Sequence, residues 1–236
     1  SLNRAFDGGG MKKTIDEHAA RFDEAAGEYD DSQNQTEEYR ACVSLVVEHA
    51  DPTPDDVVVD LGCGTGAVGL ALAESAKRVL GRDVSEGMME QAREKAREAG
   101  LENVEFEYGT FREPNVEAAD IGSSETPRAD ARDARVDVVV SNFAMHHLSD
   151  EEKREAIDAI AALGPRRFVL GDVMFFGEPD PENPLYSPEV DDPATVGMLA
   201  DALTDAGFAL TAVEMVHEQF GVLVAERTDN SERSGE

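Results

Sequence analysis

One seven-residue stretch, Asp60-Leu61-Gly62-Cys63-Gly64-Thr65-Gly66, constrains this chain more than any other. It follows an apolar run, Val57-Val58-Val59, and precedes a helix-like segment, Ala67-Val68-Gly69-Leu70-Ala71-Leu72-Ala73. A buried strand therefore ends on a carboxylate, turns through three closely spaced glycines and enters a helix. Glycine lets the backbone take a positive φ and lets a ligand approach the main chain. The helix N-terminus offers unpaired N–H groups to the negative end of such a ligand. An acidic residue just before the glycines suits a ligand that also carries a cation.

The same alternation continues downstream. Strands are expected at Arg78–Asp83, Val104–Tyr108, Val136–Ser141 and Arg167–Asp172. Helices are expected from Ser85 to Ala99, closed by Gly100, from Asp150 to Leu163 and from Ala194 to Ala206. Two strands, Ala209–His217 and Gly221–Glu226, then follow each other with no helix between them, so they pair as a hairpin. Two helices precede the first strand, one over residues 11–30 and one over 36–49. Residues 112–135 read as a polar surface insertion, and Gly177–Pro193 is a proline-rich irregular stretch. The expected organisation is an N-terminal helical extension or lid (1–50), one α/β domain (51–228) and a polar tail (229–236). Strand–helix alternation implies a mostly parallel sheet covered on both faces, with ligands bound beyond the carboxyl ends of its strands.

Acidic residues number 51 against 21 basic ones, a formal charge of −30. Such a chain repels polyanions, which argues against a nucleic-acid partner. The acids are spread along the whole chain and lysines number five, as expected of a protein adapted to high salt. Salt would mask part of that repulsion, but no basic, aromatic-interleaved patch is visible either. No apolar run reaches the roughly 20 residues of a membrane span, and no N-terminal signal pattern is present. Cys42 and Cys63 make neither a zinc site nor a disulfide framework. These features together lead to the expectation of a cytoplasmic protein with no membrane partner.

The glycine stretch resembles motif I of the class I S-adenosylmethionine-dependent methyltransferases, in the form Asp-x-Gly-x-Gly-x-Gly. The resemblance spans about Phe22 to Arg227 and is strongest from Val57 to Met89. It implies a Rossmann-like three-layer α/β sandwich with a seven-stranded, mostly parallel sheet and an antiparallel last strand. It implies S-adenosylmethionine as cofactor and a small-molecule methyl acceptor. Asp60, Gly62, Cys63, Gly64 and Gly66 would line its methionine end. Asp83, at the end of the second strand, would accept hydrogen bonds from both ribose hydroxyls. Val84 and Met88 would flank the adenine. After strand three the family has Gly-Asp, whereas this chain has Gly109-Thr110-Phe111; Thr110 and Phe111 are the candidates there. Asn142 and Phe143 would stand where methyl donor meets acceptor, and Tyr29 would reach the cofactor from an N-terminal lid. His146 or His147, in a His-His-Leu sequence after strand four, would be a general base. Asp172, after strand five, is a substrate-side candidate. Two adjacent histidines cannot form a metal site unaided, and the acids show no ligand spacing, so no metal is expected.

Two other readings stay open at this level. Gly64-Thr65-Gly66-Ala67-Val68-Gly69 also fits the dinucleotide fingerprint, as in an NAD-dependent oxidoreductase. Against it, the turn starts from an acidic residue and no Tyr-x-x-x-Lys pair follows. The third reading is a non-catalytic S-adenosylmethionine-binding module. The charge makes its own prediction: the melting temperature should rise between low and molar salt as repulsion is screened. A flat melting temperature across that range would contradict halophilic adaptation.

Overall fold

The computed structural model describes residues 12–28, 36–121, 135–178, 180 and 182–228. Along the chain run α1 (Ile15–Ala25), α2 (Glu37–Ala50), β1 (Val57–Leu61), α3 (Ala67–Leu72), β2 (Arg78–Asp83), α4 (Glu86–Ala99), β3 (Val104–Tyr108) and α5 (Ala118–Ile121). They continue with β4 (Val138–Asn142), a 3-10 turn (Met145–His147), α6 (Asp150–Ala162), β5 (Arg167–Phe175), β6 (Ala194–Thr195), α7 (Val196–Asp205), β7 (Phe208–His217) and β8 (Phe220–Arg227). The sheet order is β3-β2-β1-β4-β5-β8-β7. Strands β1 to β5 are parallel, and β8 runs antiparallel between β5 and β7. The expected terminal hairpin is thus present, with the last strand antiparallel. A two-residue strand, β6, was not expected; it pairs in parallel with the end of β5.

Side-chain alternation builds the layers. On β1, Val57, Val59 and Leu61 face a core shared with Ile157 and Ile160 of α6 and Leu199 and Leu203 of α7. Val58 faces the opposite core, with Cys42, Val46 and Ala50 of α2 and Val68 and Leu72 of α3. So α2, read as part of an N-terminal extension, belongs to a helical layer and packs on β4, β5 and β8. Most helix starts carry the side-chain caps that their sequences announce: Thr36, Ser85, Ser149 and Thr195 each accept a backbone N–H.

Two strand boundaries moved by two residues or more. The fifth strand extends to Phe175, beyond the expected Asp172, because β8 stays paired with it as far as Val173 and β6 pairs Met174 and Phe175. The fourth begins at Val138 rather than Val136. The described start of the 112–135 segment is tied down. Arg82, whose side chain is fully buried on β2, donates to the Asn115 carbonyl at 3.0 Å and pairs with Glu105 and Asp120. Residues 122–134 and 229–236 lie outside the described set, as does Tyr29. Among the described residues, no helix is long and apolar enough to cross a membrane.

The chain winds outward from β1 to β3 and then crosses back to β4 on the other side of β1. Where that reversal occurs, the loops after β1 and β4 part and leave a crevice at the carboxyl ends of the strands.

Candidate active site

The turn after β1 forms the floor of this crevice. Gly62, Gly64 and Gly66 have φ of 69°, 51° and 86°. At Gly62 a Cβ would lie 2.3 Å from the Ala144 Cβ, so a side chain there would collide with the loop after β4. At Gly64 nothing lies within 4 Å of the Cβ position; the main chain faces open space. The Gly62 and Cys63 amides donate to the Arg82 carbonyl at 2.8 and 3.2 Å, which locks the turn to the end of β2.

Two carboxylates hold this turn. Asp60 accepts the Gly69 N–H of α3 at 2.9 Å. Burial pushes its pKa up to about 7, against that hydrogen bond and with the Asp83 charge adding to the rise. Asp83 accepts the Gly64 N–H at 2.8 Å through one oxygen and the Ser85 N–H at 2.9 Å through the other. Its pKa is also raised, by burial. Burial and these two carboxylates push the Cys63 thiol well above its ordinary value, so it is a neutral turn residue and no nucleophile.

Around this floor an open cleft of about 1050 Å³ is lined by twelve of the residues singled out from sequence. They are Asp60, Gly62, Cys63 and Gly64 of the turn, Asp83, Val84 and Met88, Thr110 and Phe111, and Asn142, Phe143 and His147. Gly66 does not line it. It caps α3 behind the wall, where a Cβ would press on Ala92 and Leu70 at 3.1 Å. His146 opens instead onto a second cleft, of about 1430 Å³. The Thr110 hydroxyl accepts the Glu113 N–H at 2.9 Å, which closes a local turn. Both side-chain polar atoms of Asn142 are buried without a hydrogen-bond partner, and the residue lines the cleft. Unpaired groups of this kind are costly unless a ligand satisfies them.

The two clefts share Phe22, Tyr39, Phe143 and His147. Phe143 has φ of 56°, a region that bulky residues seldom enter. Its ring is held by stacking on Phe220 at 5.4 Å and by an edge contact with Tyr39 at 5.3 Å.

Beside Phe143 lies a cluster that sequence spacing did not show. His146 Nδ1 is 2.5 Å from an Asp172 oxygen, and His147 Nδ1 is 2.9 Å from an Asp191 oxygen. Burial opposes charge on His146, but Asp172 and Asp191 outweigh it and raise its pKa. His147 is pushed down to about 4 by burial and by the neighbouring His146. Asp191 falls to about 2: burial works against its charge, but the bond from His147 and the two imidazoles prevail. His18 of α1 is buried 4.8 Å from His147, ring centre to ring centre. Neither His18 nor Asp191 was picked out from sequence. Each reaches the cluster only through the tertiary fold, from 128 and 45 positions away from His146 in the chain.

The N-terminal helix is fastened over the cleft by Asp23. One of its oxygens accepts from the Ser85 hydroxyl at 2.6 Å and from the Gly87 N–H at 2.8 Å.

Comparison with known proteins fits this geometry. Residues 58–164 match the model of a methyltransferase domain family. An uncharacterised methyltransferase of Geobacillus sp. (strain WCH70) is 32% identical over 160 residues, which span 65% of this chain and 66% of that relative. A 23S rRNA (uracil(1939)-C(5))-methyltransferase of Alcanivorax borkumensis is 40% identical over 77 residues, 33% of this chain and 17% of that one. The chain belongs to the class I S-adenosylmethionine-dependent methyltransferases. The fold of this methyltransferase is that of the magnesium protoporphyrin IX methyltransferase of Synechocystis with bound S-adenosylmethionine, at 21% identity. The TM-score is 0.63, and the match covers 96% of this chain and 100% of that one. The cofactor of the methyltransferase is S-adenosylmethionine. The residues present fit it: an open main-chain turn at Gly64, a carboxylate at Asp83, an apolar wall at Val84 and Met88, and the unsatisfied amide of Asn142. With the family settled, the nicotinamide reading is withdrawn.

The ionisation of Asp60 makes a prediction for the cofactor-free protein. In the unfolded chain this carboxyl ionises near 3.8, and in the fold near 7. A raised acid pKa opposes folding: the penalty begins above pH 3.8, grows to about pH 7 and then stays constant. At about 1.4 kcal/mol per pH unit, that span is worth roughly 4 kcal/mol. Asp60→Asn, which keeps an acceptor for Gly69, should match the parent near pH 4 and exceed its stability above pH 7. A difference in melting temperature that does not change with pH would contradict the burial argument.

Proposed function

We propose that this protein transfers the methyl group of S-adenosylmethionine to a small molecule bound in the second cleft. The observation that carries the reading is the seam at Phe143 and His147, where two clefts of different character meet. The second cleft has an aromatic wall of Phe22, Tyr39, Phe143, Tyr186 and Phe220, and His146, His147 and Asp191 line it together with the polar Arg21, Glu28, Thr36, Glu38 and Ser187. An aromatic wall set among polar and charged side chains suits a compact, polar organic acceptor. A charge of −30 and the absence of a basic stripe in the sequence disfavour an RNA acceptor. The relative named for ribosomal RNA aligns over only 77 residues, so its substrate does not carry over.

In this reading the open main chain at Gly64 lies along the amino-acid end of the cofactor, the Gly62, Cys63 and Gly64 amides being used to hold the turn itself, and Asp60 faces the ammonium. Asp83 takes the ribose hydroxyls with the lone pairs that Gly64 and Ser85 leave free. Val84 and Met88 enclose the adenine, with Thr110 and Phe111 at its edge. Asn142 and Phe143 stand beside the transferring methyl. When bound, the cofactor supplies a methyl already made electrophilic by a positive sulfur. The protein's contribution is then mainly alignment, worth roughly 7–11 kcal/mol where reacting atoms are well oriented. The strained Phe143 sets the acceptor's approach. His146, oriented by Asp172, takes the proton of the acceptor's hydroxyl, thiol or amine as the new bond forms; His147 is held neutral beside it.

The test is methyl transfer from labelled donor to a fractionated cell extract. Label is expected in the low-molecular-mass fraction, and label confined to RNA would overturn the acceptor class. His146→Ala should lower the rate by about 10²–10⁴-fold, the usual worth of a positioned base. Cofactor affinity should be unchanged in that variant; an unchanged rate would remove His146 from the chemistry.

A further inference from the structure

The histidine cluster has a second chemistry that acid–base work does not exhaust. We propose that His146, His147 and Asp191 form a binding site for a divalent first-row transition-metal ion, with Zn²⁺ the best-suited probe. One donor atom from each of the three lies within 4.8 Å of the others. Ligand atoms on a tetrahedral ion of this class, with bonds near 2.0–2.2 Å, stand roughly 3.4 Å apart. Small rotations of the side chains close that difference. His146 Nε2 and the Asp191 oxygen are 3.8 Å apart, too far for a hydrogen bond and about right for two groups facing a common ion.

Three further observations point to a ligand here. First, His146 donates its other ring nitrogen to Asp172 at 2.5 Å, the arrangement that fixes the tautomer and heading of metal-binding imidazoles. It leaves Nε2, 3.8 Å from an Asp191 oxygen, as the ring nitrogen available to an ion. Second, both ring nitrogens of His18 are buried without a partner, although the side chain lies against His147. An imidazole orphaned in this way is unfavourable unless something in the cluster completes it. An ion, or a water on that ion, gives it a partner. Third, the carboxylate is held in place before any ion arrives. Asp191 accepts the Ser187 N–H at 2.8 Å through its second oxygen, and its carbonyl accepts from Lys12 at 2.6 Å. The Asp192 N–H donates to the His146 carbonyl at 2.7 Å, and the buried Lys153 ammonium donates to the carbonyls of Leu148 and Asp192. The proline-rich loop is therefore stitched to the His-His turn on both sides of the proposed site.

The donor set selects the ion. Imidazoles with one carboxylate suit zinc, iron, cobalt or nickel, whereas magnesium and calcium prefer all-oxygen sites. Three protein ligands leave a fourth position on a tetrahedral ion. All three ligands line the second cleft, so that position would face the acceptor. This part rests on the acceptor site proposed above, and it narrows the acceptor to molecules with a metal-ligating hydroxyl or thiol. Coordination uses the same His146 lone pair that takes up a proton in the ion-free protein, so the two are alternative states of one nitrogen.

The experiment uses the full chain, stripped with chelator and titrated with Zn²⁺ by calorimetry and with Co²⁺ by visible absorption. One ion per chain should bind at micromolar concentration or below, with cobalt bands of low-symmetry nitrogen–oxygen coordination. His147→Gln and Asp191→Asn should each weaken binding at least tenfold, and Asp172→Asn by about 10–100-fold through loss of orientation. S-adenosylhomocysteine binding should persist in Asp191→Asn and Asp172→Asn, neither of which lines the cofactor cleft, and the melting temperature of His147→Gln should stay near that of the parent. Those readouts show the variants are folded and separate failure of the metal site from failure of the methyltransferase reading. Only weak, multiple binding to the acidic surface would overturn the proposal. So would stoichiometric binding that His147→Gln and Asp191→Asn leave intact.

Discussion

Two carboxylates at the ends of neighbouring strands, Asp60 buried and Asp83 half-buried, hold the glycine turn, and the cofactor crevice depends on them. Asp60 pins the turn to α3 through Gly69; Asp83 pins it to the start of α4 through Gly64 and Ser85. Hydrogen bonds to charged groups are worth about 1.5–3 kcal/mol each, yet burying a carboxylate costs more than one such bond returns. The pKa of Asp60, at about 7, records that balance. The turn is thus kept in shape by acids whose charge is only partly compensated. A ligand bringing an ammonium group and two hydroxyls to this place supplies the missing compensation.

Much of this was legible in the sequence because it is local. The β1 run, the glycine turn and the Ser85 and Gly100 caps of α4 are written in consecutive residues, and backbone sterics leave them few alternatives. The terminal hairpin followed from two strand patterns without a helix between them. What sequence could not show is what topology assembles. Arg82 reads as a polar residue on a strand and is fully buried, because Glu105 on the next strand and the loop at Asn115 and Asp120 neutralise and bond it. Gly66 belongs to the motif by spacing, but it serves helix packing rather than the cleft wall. Asp191 and His18 sit in a proline-rich loop and a polar helix, where nothing in their neighbours in sequence announces a site. The pairing of β6 with β5 and the Asp192 N–H bond to the His146 carbonyl carry that loop to His147.

The seam between the two clefts joins these parts. Phe143 is held at a positive φ by its Phe220 and Tyr39 contacts, and its N–H is fixed to the Gly171 carbonyl at 2.8 Å. Strain of this kind persists only where the surroundings over-determine it. Here it lets one aromatic ring separate the floor that suits a nucleoside from the wall that suits an acceptor. The adjacent histidines complete the division of labour, with the partner of each, Asp172 or Asp191, supplied by a different element.

The central claim is that this crevice recognises an S-adenosyl compound through the open glycine turn and the Asp83 carboxylate. Calorimetric titration of the protein with S-adenosylhomocysteine and, separately, with NAD tests it most directly. The account predicts one-to-one binding of S-adenosylhomocysteine and no heat from NAD. Binding of NAD with no response to the S-adenosyl compound would contradict it.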